Sequence, residues 1–194
     1  MVGHNADEGL LVTPPLRENA EYVNFIRGYF PGIQDPVLDH IANVIYPPIF
    51  NGSMPYVDQT GRAALTVSEG TFVANTFAMN RAYGNKTFAY LFDIFPALHV
   101  QDVEYTFYNP DVSWQGFPDY SVWGDNQTVA YTMQDYFTSF ATQGIPKSSI
   151  SGVPTFPMYG DNSTVIAFSK QGIGRASDSA ANERCAWWQS VLLS

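Results

Sequence analysis

Lys86-Thr-Phe-Ala-Tyr-Leu-Phe-Asp-Ile-Phe95, continuing as Pro-Ala-Leu-His-Val-Gln-Asp-Val-Glu-Tyr-Thr-Phe107, is the stretch on which the fold turns. Its first part is a short apolar, aromatic-rich run, the pattern of a buried strand. Pro96 marks its end, His99 falls in the loop, and a short helical run follows. Upstream, Met1-Val-Gly-His-Asn-Ala-Asp-Glu-Gly9 repeats the plan: a strand over residues 1–3, then a tight Asp-Glu-Gly loop carrying Glu8. Each signal by itself is ordinary, since histidines after strands and Asp-Glu-Gly turns are common. As a pair they supply an acid and then a base, both on loops at strand ends.

Between and after these segments the chain alternates helices with further short strands. Residues 17–29 place Ala20, Tyr22, Val23, Phe25, Ile26 and Tyr29 at helical spacing and stop at Phe30-Pro31-Gly32. Asp35-Pro36 suits a helix cap with proline at the first helical position, and Val37, Leu38, Ile41, Val44 and Ile45 form one face before Pro47-Pro48. One long helix is expected over 62–83, closed by Gly84-Asn85, and others over 126–142 and 180–193. A short strand is expected over 164–168. Strands alternating with helices argue for an α/β layered fold. About three strands are visible, too few for a complete doubly wound sheet, so residues 1–194 read as the C-terminal portion of one domain.

Composition narrows the function. Apolar residues make up 45%, aromatics 15% and charged residues only 14% of 194 residues, enough for a substantial core and unlike a disordered chain. A net charge of −9 and a pI near 4.5 disfavour nucleic acid as a partner. No apolar run reaches the roughly 18 residues a membrane span requires, and the N-terminus lacks a signal-peptide pattern. Four Asn-x-Ser/Thr sequons begin at Asn51, Asn85, Asn126 and Asn162, each in a turn or at the start of an element. They point to a secreted glycoprotein, whose signal peptide would precede Met1. The single cysteine, Cys185, makes no internal disulfide and is expected as a small buried residue on the last helix. His4 and His40 lack metal-ligand spacing, so no metal or cofactor is expected.

A serine nucleophile needs a base within hydrogen-bond reach, and the base needs an acid to fix its tautomer. His99 and Glu8 are the candidates. The order acid then histidine is the order that follows the serine in α/β-hydrolases, and the absence of Gly-x-Ser-x-Gly here would put the nucleophile upstream of Met1. The chain resembles the C-terminal portion of the type B carboxylesterase and lipase family, the cholinesterase-like α/β-hydrolases. Gly3-His-Asn-Ala-Asp-Glu8-Gly9 is similar to its Gly-x-x-x-Asp-Glu-Gly segment, and His99-Val-Gln-Asp102-Val-Glu104-Tyr-Thr-Phe107 to its His-x-x-(Asp/Glu)-x-x-(Tyr/Val)-x-Phe segment. Residues 83–92 resemble the strand leading to that histidine. Tyr136-Phe-Thr-Ser-Phe-Ala-Thr-Gln-Gly-Ile-Pro146 and Arg184-Cys-Ala-Trp-Trp188 resemble two further signatures. The resemblance implies Glu8 as triad acid and His99 as triad base. It also implies an ester substrate, small-molecule or lipid, and no activity without the absent nucleophile. The cholinesterase branch cross-links the cysteine matching Cys185 to one about a hundred residues earlier. Phe72-Val-Ala-Asn75 has none, which places this chain nearer the secreted microbial esterases and lipases.

Several readings stay open at this point. Asp102 either helps hold the histidine loop or is simply an acid favoured at a helix N-terminus. Trp114, Phe117, Tyr120 and Trp123 either line a pocket or pack as a satellite core. The same resemblance covers non-catalytic cholinesterase-like adhesion domains, although these usually lose triad members that this chain retains. Oligomeric state leaves no mark on the sequence.

Overall fold

A computed structural model describes residues 1–110 and 127–192. The cluster of Trp114, Phe117, Tyr120 and Trp123 and the sequon asparagine Asn126 lie outside the described residues. In chain order, β1 (Val2–Asn5) is followed by helices α1 (Asn19–Tyr29) and α2 (Asp35–His40), the second running on as a π-helical turn, Ile41–Ile45. Next come α3 (Gln59–Val67), a π-helical stretch at Ser68–Val73, and α4 (Ala74–Ala82). After β2 (Ala89–Asp93) lie α5 (Gln101–Thr106), α6 (Gln127–Gln143), β3 (Thr164–Ser169), β4 (Gly172–Ser177) and α7 (Glu183–Leu192). The chain divides into two compact units, Met1–Ala6 with Met79–Asp178, and Asp7–Ala78 with Ser179–Ser194.

The first unit holds the sheet, ordered β1-β2-β3-β4. β1, β2 and β3 are mutually parallel and β4 returns antiparallel to β3 across the turn at Lys170-Gln171. Four strands therefore form where three were expected. Alternation along β2 divides its side chains between two cores, as a strand buried on both faces requires. Phe92, with the half-buried Phe88, Tyr90 and Ile94, joins Ile166, Phe168, Tyr105 of α5 and Val129, Ala130, Met133 and Tyr136 of α6. Ala89 and Leu91 turn the other way, to Val165 and Tyr159.

The second unit is helical. Its core gathers Tyr22 and Ile26, Leu38, Ile41 and Ala42, Ala63 and Val67, and Cys185 and Trp188 of α7. Cys185 is fully buried there, as expected of a small apolar side chain. Asp58 caps α3 by accepting from the Gly61 N–H at 2.7 Å. The expected single helix over 62–83 instead widens at Ser68–Val73. A Cβ on Gly70 would meet the rings of Trp188 and Phe30 at 2.9 and 3.0 Å, so the widened turn also lets two aromatics close on bare backbone. α2 starts one residue earlier than expected, with Gln34 as cap and Asp35 as its first residue.

Candidate active site

His99 lies in the loop that leaves β2, in the sheet unit, and is half-buried. Two non-glycine residues beside it, Ala97 (φ 53°) and Val100 (φ 68°), adopt left-handed backbone. For a β-branched residue such as Val100 that conformation costs on the order of 1–3 kcal/mol and persists only when neighbours over-determine it. The neighbours are specific. The Leu98 carbonyl accepts from Asn5 Nδ2 at 2.6 Å and from the Gln101 N–H at 3.0 Å. The Leu98 N–H donates to Gln101 Oε1 at 3.0 Å. Both backbone polar groups of the residue before His99 are thereby occupied.

Asp102, in the first turn of α5, extends this fixation. Its Oδ1 accepts from Asn5 Nδ2 at 3.2 Å and its Oδ2 from the Tyr90 hydroxyl at 2.7 Å. Gly3 makes the second bond possible. It sits opposite Tyr90 in the β1–β2 ladder, and a Cβ there would fall 2.1–2.3 Å from the tyrosine ring. Burial raises the Glu104 carboxyl above its ordinary value. Of the two readings of Asp102, the contacts match the one in which it holds the loop. Asn5, Tyr90 and Gln101 escaped the sequence reading. The usable signal was Gly3 facing an aromatic on the neighbouring strand.

Glu8 lies in the helical unit and is buried, 6% exposed. Its neighbour Gly9 is held against α3: a Cβ on Gly9 would fall 2.0 Å from the Ala64 carbonyl oxygen and 2.8 Å from Ser68 N. The Gly9 backbone is ordinary, with φ −81°. The glycine of the Asp-Glu-Gly loop is therefore required by close approach and not by turn geometry. A 3₁₀ turn at Leu10–Val12 follows, and Thr13 Oγ1 donates to the Gly9 carbonyl at 2.7 Å.

Elsewhere in the sheet unit, His4 and Asp178 are both buried, with Nε2 and Oδ1 3.7 Å apart, and Tyr159 donates to Asp178 at 2.8 Å. Burial, reinforced by that carboxylate, pushes the Tyr159 hydroxyl well up. Among the described residues no three His, Cys, Asp or Glu side chains gather as metal ligands would. Asn51 and Asn162 are exposed and Asn85 half-buried.

No family model matches the chain. Over 192 residues, 98% of its length, it is 29% identical to carboxylesterase patB of Penicillium expansum and 30% identical to carboxylesterase patB of Aspergillus clavatus. The crystal structure of Aspergillus niger EstA superposes with a TM-score of 0.78 at 19% identity, over 99% of this chain and 39% of that one. The fold is that of an α/β-hydrolase. The chain spans about a third of the length of the curated relatives, 32% and 33%. Within that fold β1 and β2 are parallel neighbours, so their C-terminal ends lie at the same end of the sheet. No helix among the described residues is long and apolar enough to cross a membrane.

Proposed function

We propose that the chain is the C-terminal portion of a serine carboxylic ester hydrolase, supplying the triad acid Glu8 and base His99 to a serine carried by residues that precede Met1. The parallel β1–β2 pairing supports this reading, because the segments carrying Glu8 and His99 follow the C-terminal ends of two neighbouring strands at the same end of the sheet, in the order acid then base. The kinship with two carboxylesterases supports the reaction class.

The chemistry follows from the side chains. The serine oxygen attacks the ester carbonyl while His99 Nε2 takes the hydroxyl proton, and the resulting oxyanion is held by upstream backbone N–H groups. The Glu8 carboxylate accepts the His99 Nδ1–H, which selects the tautomer with a basic Nε2 and stabilises the imidazolium. Collapse of the tetrahedral intermediate breaks the bond to the alkoxy oxygen, which leaves as alcohol with the proton from His99. Water, deprotonated by the same imidazole, then releases the acid. The scheme calls on no cofactor. Its substrate is a small-molecule or lipid ester.

The test uses the full-length protein and a short activated ester. His99→Ala should lower kcat by about a thousandfold or more, and Glu8→Gln by as much or less, since the imidazole stays in place. This chain alone should not exceed background. Full activity in His99→Ala would remove His99 as the base and bring the non-catalytic adhesion reading forward.

Secretion and N-glycosylation belong to the same proposal. Asn51 is exposed, and its Oδ1 accepts from Ser53 Oγ at 2.7 Å. Asn162 is exposed as well, whereas Asn85 Nδ2 donates to Asp161 at 3.2 Å. Asn51→Gln should remove one glycan increment from the mass of the secreted protein.

A further inference from the structure

We infer that Asn5, with Asp102 and Tyr90, is a positioning device that sets the imidazole of His99, a role that rests on reading His99 as the catalytic base. The side-chain amide of Asn5 is shared between the Leu98 carbonyl and the Asp102 carboxylate. One group therefore grips the loop on both sides of His99. Asn5 is itself 1% exposed and fixed in β1, opposite Phe92, so the grip is anchored in the ladder and not in a mobile side chain. Tyr90, on the neighbouring strand, fixes the other oxygen of Asp102 through its hydroxyl. The carboxylate is thus tied to two adjacent strands at once.

The loop needs this hold. Ala97 and Val100 flank Leu98 and His99 in left-handed backbone, and Val100, the N-cap of α5, makes no side-chain cap bond. A loop of that conformation relaxes when its restraints are removed. Relaxation would swing the imidazole rather than empty the substrate site. Loss of Asn5 should therefore lower kcat and leave KM nearly unchanged, the signature of a group that acts on orientation in the transition state. Asp102 differs from a helix-terminal charge in the same respect: its two oxygens are spent on Asn5 and Tyr90, so its shape matters as well as its sign.

The experiment uses the full-length protein. Asn5→Ala should lower kcat by about tenfold to a hundredfold with KM within about twofold, the size known for hydrogen bonds that orient metal-bound histidines from behind. Amide hydrogen exchange of residues 97–102 should quicken about tenfold or more while exchange in α6 stays the same. Tyr90→Phe, which removes one hydroxyl, should move both readouts the same way by about threefold to tenfold. It keeps the test alive if Asn5→Ala does not fold. Unchanged kcat in both variants, or lost kcat with unchanged loop exchange, overturns the positioning role. Full activity in His99→Ala overturns the hydrolase reading instead, and exchange in Asn5→Ala then still decides whether the clamp exists.

Discussion

In the sheet unit the largest buried side chains are Phe92, Phe168, Tyr136, Tyr159, Met133 and Ile166, and they meet largely through ring and aliphatic contacts. In the helical unit the largest is Arg62, fully buried. It donates to the Tyr46 carbonyl at 2.7 Å, the Ala42 carbonyl at 2.6 Å, and to Asn19 and Gln59 at 2.8 Å, with its guanidinium 3.5 Å from the Tyr22 ring centroid. Burial lowers the Arg62 pKa and pushes the Tyr22 hydroxyl up to about 12, so Tyr22 remains a neutral partner. Glu69, 3% exposed, takes two parallel bonds from Arg184 at 2.7 Å, one from Tyr46 at 2.6 Å and one from Asn182 at 3.0 Å. One interior is held mainly by volume, where errors are graded. The other adds to an apolar core of its own a set of buried charges that are satisfied or ruinous.

That contrast is sharpest at Glu69. Glu69→Ala leaves Arg184 facing a cavity lined by Tyr46 and Asn182, and should cost about 3–5 kcal/mol, as removing one partner of a buried pair does. Ile166→Val in the sheet core should cost only about 0.5–1.5 kcal/mol. Chemical denaturation followed by hydrogen exchange in each unit separates the two. Glu69→Gln breaks the tie between charge and shape. It keeps the volume, so a loss near that of alanine assigns the effect to charge, and a loss near that of Ile166→Val would dissolve the contrast.

The two glycines test the same difference on the backbone. Gly9→Ala drives a methyl into the Ala64 carbonyl of α3, where a helix must shift, and should cost about 3 kcal/mol. Gly3→Ala meets the Tyr90 ring first, a side chain that can swing aside where backbone cannot, and should cost about 1–2 kcal/mol. Because the displaced ring also releases Asp102, Gly3→Ala and Tyr90→Phe should be non-additive in kcat of the full-length enzyme. Additive losses would disconnect Gly3 from the histidine loop.

What the sequence made legible follows the same division. β2 declares itself because Phe88, Tyr90 and Phe92 face one core while Ala89 and Leu91 face the other, leaving an apolar run with no polar face. β4 does not, because Gly172-Ile-Gly-Arg-Ala-Ser177 carries two glycines and a weak pattern, and owes its form to pairing with β3 across a two-residue turn. The π-helical stretch at Ser68–Val73 is equally silent, since hydrophobic spacing over 62–83 fits one regular helix. It coincides with a tertiary contact that spacing does not encode, Trp188 and Phe30 against Gly70. Glu8 and His99 stand out as titratable residues in recognisable segments. Asn5 does not: an asparagine at a strand end reads as a turn former, and only the register that brings β1 beside the Leu98 carbonyl reveals its use.

The smallest effect concerns a carboxylate at the surface of the sheet unit, where charge is screened. Asp135 of α6 accepts from the Ser149 N–H at 2.9 Å and from the Ser148 and Ser149 hydroxyls at 2.9 and 3.0 Å. The backbone bond from Ser149, ahead of the two hydroxyls, holds its carboxyl below the usual range. A depressed folded value means the unfolded chain binds the proton more readily. The stabilisation is then fully present above the unfolded pKa of about 4 and disappears as pH falls through the lower folded value. Asp135→Asn should therefore lower stability at neutral pH by under about 1 kcal/mol, the modest size expected of a largely solvated charge. The gap between variant and parent should close below about pH 4. The loss should register in exchange of α6 and residues 144–150 and leave α3 and α7 untouched. A gap that instead widened on acidification would mean that Asp135 is stabilised in its protonated form, and the serine cap would have to be redrawn with the carboxyl as donor.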